Sequence, residues 1–470
     1  MIRNEDLEEI VKWADEMQGR NNKVHDNLLD VYEGNLKDHI DASIDLEFNS
    51  NAAYAAKQRV SPINILKRTN DKLAKVYSQG VERSASNPSD ESLITSYEEW
   101  LDLDNKMSKS DSMYNLLRSC AFEPYLKNGI PYLRVLTPNQ FTVWSNDSHD
   151  RKTPTVFIKY MGSSSLVISE SDNTYTETVN DYILYDHDEW VEINSKAMVK
   201  NRMQHDFGRI PFTYMNMSIS RLVPSPDEDS YTMAVLIPKL LSDLNYASKY
   251  QSHGIRFGID VDVKNLDGNP DSFWEIHSSG EEGAKPQIGV LAPSVNIDQV
   301  LNLSKEQLIM YLESRSLKVG SSGKFENNMS GFAKLIDSAD VTDVRKENMI
   351  MFKATEKDLW ELLSIKHNIW VENGELVIAE INRTFSARFS VSIKYGDLTP
   401  IIDPQEKRDN LKFKLENRLT TYERAVREAN PDLTEDEIQV LLQELQVEKQ
   451  ENTNVINNNT GPGVQDSDSE

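Results

Sequence analysis

Cysteine is almost absent from this chain: Cys120 is the only one in 470 residues. A disulfide framework and a cysteine-based zinc site within one chain are therefore excluded, and the reducing cytoplasm is the natural compartment. Long apolar runs are missing too; none reaches the roughly 18 residues that a membrane-spanning helix needs. The first residues, MIRNEDLEEIVKW, are acidic and amphipathic and lack the basic-then-apolar layout of a signal peptide. No membrane partner is expected. Basic residues are in deficit, with 51 Lys and Arg against 76 Asp and Glu and a formal net charge of −25. A surface that acidic argues against a protein that coats nucleic acid, while leaving local contacts open.

Catalytic motifs are also wanting. The eight histidines are scattered, with no His-Glu-x-x-His, and no Gly-x-Ser-x-Gly occurs. The nearest thing to a phosphate loop, Gly320 to Phe325, has too short a spacer between its glycines. It also places Phe325 where Ser or Thr should follow Lys324. The stretch Asp260–Glu275 has calcium-loop features. With Gly268 at the turn, however, Val263 and Trp274 fall where carboxylates are required, so a hairpin with an Asp-Gly turn is expected. Asp186-His187-Asp188-Glu189 is the densest set of ligand-type side chains. A metal-dependent hydrolase built on Asp186, His187 and Asp188 is the one enzyme reading it permits. Neighbours on a strand face opposite sides, so a polar turn is expected instead. No catalytic residue, metal site or cofactor is assigned.

What is there is a globular composition, 38% hydrophobic and 27% charged, which excludes global disorder. The length suits roughly two to four domains. Helical spacing of apolar residues predicts helices over 5–33, ending at Gly34, over 62–80, and over 88–119. From 129 the period changes to short β-type runs, which continue to Trp190-Ile193 and close at Gly208-Arg209-Ile210-Pro211-Phe212. The acidic run Ser225 to Ser230 then caps a long helix over 230–253. Its stripe is Leu236, Leu240, Leu244 and Ala247, with Met233, Ile237 and Leu241 beside it, and Pro238 should kink it or mark a late start. Residues 257–302 return to β and turn. A helix over 303–317 opens with Ser304 and Gln307 in capping-box spacing. The segment 318–331, KVGSSGKFENNMSG, is rich in Gly, Ser and Asn and is expected to be a flexible loop. A very long helix over 332–369, strands at 375–381 and 387–393, and helices over 405–429 and 434–449 complete the pass. The Asn-rich, acidic end is expected to be disordered. Between Arg315 and Lys334 lie four basic residues, Arg315, Lys318, Lys324 and Lys334, against one acidic residue, Glu326. They form a basic island in an acidic chain.

This order of elements, together with several phrases, resembles the portal (head-to-tail connector) proteins of tailed bacteriophages. The phrases are Val31-Tyr32-Glu33-Gly34-Asn35, Gly208-Arg209-Ile210-Pro211-Phe212 ahead of the acidic run and Leu244-Asn245, and Ser330-Gly331-Phe332-Ala333. Leu419-Thr420-Thr421-Tyr422 follows, then Asn430-Pro431 and Glu435-Asp436-Glu437-Ile438. The resemblance covers nearly the whole chain. It implies an α+β subunit with a mixed α/β wing, a helical stem, a small β-containing clip and a helical crown. On this chain the first part of the wing would be 1–225, and the stem helices 226–256 and 303–317. The clip would be 257–302 and the tunnel loop 318–331. Residues 332–405 would hold the long helix and wing strands, 406–450 the crown, and 451–470 a disordered acidic tail. The implied assembly is a homo-oligomeric ring, usually of twelve, at one capsid vertex of a virion made in the host bacterial cytoplasm. Double-stranded DNA would pass through it without sequence preference. The implied partners are the major capsid or scaffolding protein, the large terminase subunit and a head-completion adaptor. Lys318, Lys324, Asn327, Asn328 and Lys334 would face DNA from the tunnel loop. Asp267, Phe273 and Trp274 would meet partners at the clip. A capsid or scaffold component without a channel is the competing structural reading.

Overall fold

The computed structural model describes residues 2–60, 62–147, 153–170, 173–253, 255–259, 261–262, 277–278, 287–291, 297–317, 340–396, 411–417, 419–429, 438–439 and 441–442. The chain divides into two units, Met1–Gly396 and Asp397–Glu470. Helix and sheet are mixed throughout the first, an α+β architecture.

The first unit opens with α1 (Leu7–Asp30), whose path bends through a π-type turn over Val31–Asn35 into α2 (Leu36–Glu47). Gly34 takes φ 125° there, a left-handed geometry that glycine adopts without a Cβ penalty. The expected stop is thus a corner. Helices α3 (Ser50–Lys57) and α4 (Ile65–Leu73) follow. The predicted helix over 62–80 is shorter than its apolar pattern, because Val76 and Tyr77 serve the main core after the helix has ended. Strand β1 (Val81–Ala85) then precedes α5 (Glu91–Leu101) and α6 (Leu103–Leu117). The single helix predicted over 88–119 breaks where Asp102 turns left-handed at φ 49°, and it ends at Arg118 at φ 64°.

The β block begins ten residues before the expected position. Strand β2 (Ser119–Lys127) pairs with β3 (Ile130–Leu136) across an Asn128-Gly129 turn, where both residues have positive φ. On its other edge β2 pairs with β9 (Thr213–Asn216), a strand that follows the Gly208–Phe212 phrase. Between them in sequence lies an antiparallel five-stranded sheet in the order β4 (Phe141–Trp144), β5 (Val156–Glu170), β6 (Asn173–Tyr185), β7 (Glu189–Asn194) and β8 (Val199–Gln204). Alternation decides its two faces. Trp144, Ile158, Leu184 and Val191 pack on Ile10, Val11 and Ala14 of α1. Phe141, Val143 and Phe157 pack on Ala121, Leu136 and Phe212.

Helix α7 (Glu228–His253) follows, with Pro238 inside it and not breaking it. The buried line is Ile237, Leu241 and Leu244, which keeps Leu244 of the predicted stripe and the two residues expected beside it; Leu236 and Leu240 are half-buried. Strands β10 (Ile255–Ile259) and β13 (Gln287–Leu291) pair antiparallel, as do β11 (Val261–Asp262) and β12 (His277–Ser278). Helix α8 (Ile297–Ser314) starts earlier than predicted. Ser304, read as its cap, lies inside it and bonds back to the Val300 carbonyl at 2.9 Å. Helix α9 (Thr342–Glu372) supplies Phe352, Leu359, Trp360 and Leu363 to the largest core, along with α5, α6 and β2. The strand predicted at 375–381 is absent; that stretch holds a single 3-10 turn, Ala379–Ile381. Leu376 and Ile381 anchor in the core without a strand partner, which explains the apolar pattern. The strand predicted at 387–393 is β14 (Val391–Tyr395), antiparallel to β1.

In the second unit, residues 411–416 are helical and α10 spans Tyr422–Ala429, so the helix predicted over 405–429 is interrupted. Val426, Ile438 and Leu442 form its small core.

Candidate functional site

Every residue assigned a role from the sequence lies outside the described residues. This holds for Lys318, Lys324, Asn327, Asn328 and Lys334, and equally for Asp267, Phe273 and Trp274. What the structure does describe is the framework from which both segments depart. Helix α7 continues directly into β10, and β13 leads into α8. Because β10 and β13 pair antiparallel, the end of α7 and the start of α8 share one end of a two-helix stalk. At the other end the start of α7 meets the end of α8, where Asp227 binds Arg315. At about 1.5 Å per residue, the 26 residues of α7 span about 39 Å.

The near end of the stalk is a buried polar junction. Asp227 caps α7, accepting the Ser230 N–H at 3.3 Å and the Ser230 hydroxyl at 2.8 Å. Its carboxylate also receives the guanidinium of Arg315 and, at 3.2 Å, that of Arg118. Arg315 donates in addition to the Asn115 carbonyl at 2.8 Å. Asn115 donates to Asp111 at 2.9 Å and accepts from Asn348 of α9 at 3.1 Å. Asp111 accepts the Val76 N–H at 2.8 Å. Burial pushes the Asp111 carboxyl up to about 7, against the opposing pull of those hydrogen bonds. A cavity of about 360 Å³ opens beside this network, lined by Tyr114, Arg118, Asp227, Tyr311, Arg315 and Glu347 among others. Three elements distant in sequence (α6, the stalk and α9) thus meet in one polar network, α9 joining it through Asn348 and Asn115.

The junction also holds both flanks of the segment 318–339. Leu317 is fully buried among Leu308, Tyr311 and Leu312 of α8, and Val341 and Val344 pack on the same cluster. The segment therefore leaves and rejoins the fold at one place. Arg315 is spent inside the junction, so it does not belong to a free basic island.

The Asp186–Glu189 cluster is a turn. One Asp186 oxygen accepts the N–H groups of Asp188 at 2.8 Å and Glu189 at 2.7 Å. Glu189 is bound to Arg202 at 3.0 Å and to the Ile2 N–H at 2.8 Å. Among the described residues no group of three or more His, Cys, Asp or Glu side chains is placed to hold a metal ion. No helix among them is long and apolar enough to cross a membrane. Cys120 is fully buried, and burial raises its thiol well above the ordinary range.

Sequence reasoning singled out Asp227 only as part of an acidic capping run, and Arg315 only as a loop cation. It missed Arg118, Asn115 and Asn348, whose partners lie far away in the chain. The one local signal was the pairing of a capping run with an arginine at the opposite end of the next helix. Comparison of the chain with protein-family models and with curated proteins finds no match.

Proposed function

We propose that this chain is the portal subunit of a tailed bacteriophage. It forms a ring at one capsid vertex, through which double-stranded DNA is packaged and ejected. The reading rests on the sequence resemblance and on one structural observation. An antiparallel two-helix stalk carries a β-paired excursion at one end and both flanks of the segment 318–339 at the other. A channel subunit needs that order. One end reaches out to partners, and the other presents a loop from a rigid base.

The charge suits the role. Twelve copies carry about −300 formal charges from a net −25 each. A mostly negative wall repels the phosphate backbone and keeps DNA from adhering while it slides. A few lysines at the narrowest point then make weak contacts independent of base sequence. In this reading the stalk is the stem, 318–331 the tunnel loop, and the excursion the clip that meets the terminase or the head-completion adaptor.

Imaging of the purified full-length chain by electron microscopy tests it. The expected result is a closed ring with an open axis. A shell lattice or an elongated rod would establish the competing capsid or scaffold role instead.

A further inference from the structure

Two helix faces in the first unit are exposed, apolar at the centre and oppositely charged. On α8, Glu306, Met310 and Glu313 lie in one row, and Leu303 extends it. On α9, Lys346, Ile350 and Lys353 repeat the same spacing of four residues then three, and Lys357 extends the row. Such spacings place side chains on one face of a helix. Leu303 is 52% exposed, Met310 69% and Ile350 71%. All five charged residues are exposed, and none of them has an ion pair among the described residues.

We propose that the α8 row of one copy of this chain docks on the α9 row of the next copy. The charges are complementary in sign and matched in spacing. On each helix the outer pair, Glu306 and Glu313 or Lys346 and Lys353, is separated by about 10 Å at 1.5 Å per residue. Between each pair sits one large apolar side chain, Met310 or Ile350. Contact buries those groups and the lysine stems, while the charges choose the partner and the register. Among the described residues the acidic row has no cation paired with it, and the basic row is a local exception in a chain of net charge −25. A second copy supplies both needs at once. Two different faces meeting head to tail make a heterologous contact, which closes into a ring when the rotation permits. The inference deepens the portal reading and rests on it only for that closure.

Charge reversal tests it with the full chain. One variant carries Glu306→Lys and Glu313→Lys, the other Lys346→Glu and Lys353→Glu. Each alone brings like charges together and should associate about 10- to 100-fold more weakly in light scattering and sedimentation. An equal mixture restores opposite charges at every contact and should recover assembly, with the two chains alternating. Recovery also shows that neither variant had lost its fold. If either variant alone assembles like the unaltered chain, or the mixture stays dispersed, these rows are not the contact, and the portal reading survives. Open fibres that depend on both rows would support the contact and overturn the portal reading. An unaltered chain that remains monomeric at every concentration would overturn both.

Discussion

Asp227 is 3% exposed and answers two arginines and a helix end. Replacing it by Ala removes the cap and leaves Arg315 and Arg118 without their carboxylate. Arg118 is a third exposed, so solvent covers part of its loss. Asp227→Ala is expected to cost roughly 2–4 kcal/mol. Thermal unfolding measures it, and a midpoint equal to that of the unaltered chain would show that the junction is not a structural tie. Lys366 of α9 makes a different demand. Its ammonium is buried, donating to the Pro124 carbonyl at 2.6 Å and the Pro211 carbonyl at 3.0 Å, with the Phe207 ring 5.1 Å away. Burial pulls it down to about 7 from 10.5, outweighing nearby Glu123. Between these values the unfolded chain holds a proton that the folded chain does not. Stability therefore rises with pH across that window, by at most about 1.4 kcal/mol per pH unit, and the burial penalty is complete below 7. The Lys366→Met variant lacks this slope. The stability difference between the two chains, measured at pH 6.5 and pH 9, should shift toward the unaltered chain as pH rises. A difference that does not change with pH would refute the assignment.

At the scale of elements, the pair β1 and β14 joins residues about three hundred positions apart and closes the main core. Its end is tight. A Cβ on Gly396 would lie 2.3 Å from the Gln79 carbonyl oxygen, which is backbone and cannot swing aside. The Gly396 carbonyl also accepts from Arg345 of α9 at 2.6 Å. Gly396→Ala should therefore cost roughly 1–3 kcal/mol and speed hydrogen exchange in β1 and β14. Slow exchange there in the variant would show that the strand end yields without opening. Elements also mark where periodicity was read well or badly. The helices of the stalk and α9 were legible as helices because their apolar residues keep helical spacing over many turns, but not in their bounds: the helix expected from 332 begins at Thr342, after the non-helical residues 340–341. The 375–381 stretch was misread because a loop that pins two apolar residues in the core imitates the alternation of a strand. The break at Asp102 was not legible, since a left-handed aspartate leaves no pattern of its own.

For the whole molecule, the portal reading makes the tip of the 318–331 loop the point nearest the DNA. Lys324→Ala is then expected to leave ring assembly intact while altering DNA packaging or retention, in a salt-sensitive way. Lys318→Ala and Lys334→Ala should have smaller effects. Particles with Lys324→Ala that package and retain DNA normally would remove the loop from the DNA path. At the opposite end, Trp274→Ala should spare the ring and weaken docking of the adaptor or motor, since buried aromatics anchor interfaces. Loss of the ring itself would assign Trp274 to contacts within or between subunits.

By itself the sequence determined the mixed α and β character, the single thiol, the acidic balance and the polar turn at Asp186–Glu189. Each depends on composition or on neighbours within a few residues. The tertiary structure alone decided that Asp227, Arg315, Arg118, Asn115 and Asn348 form one junction, and that Leu317 and Val341 return to one cluster. It likewise decided that the α8 and α9 rows both face water. A carboxylate's partners are chosen by desolvation and distance, and the residues that satisfy it come from helices separated by more than a hundred positions. No local pattern records that meeting, because it exists only once the cores on either side have packed.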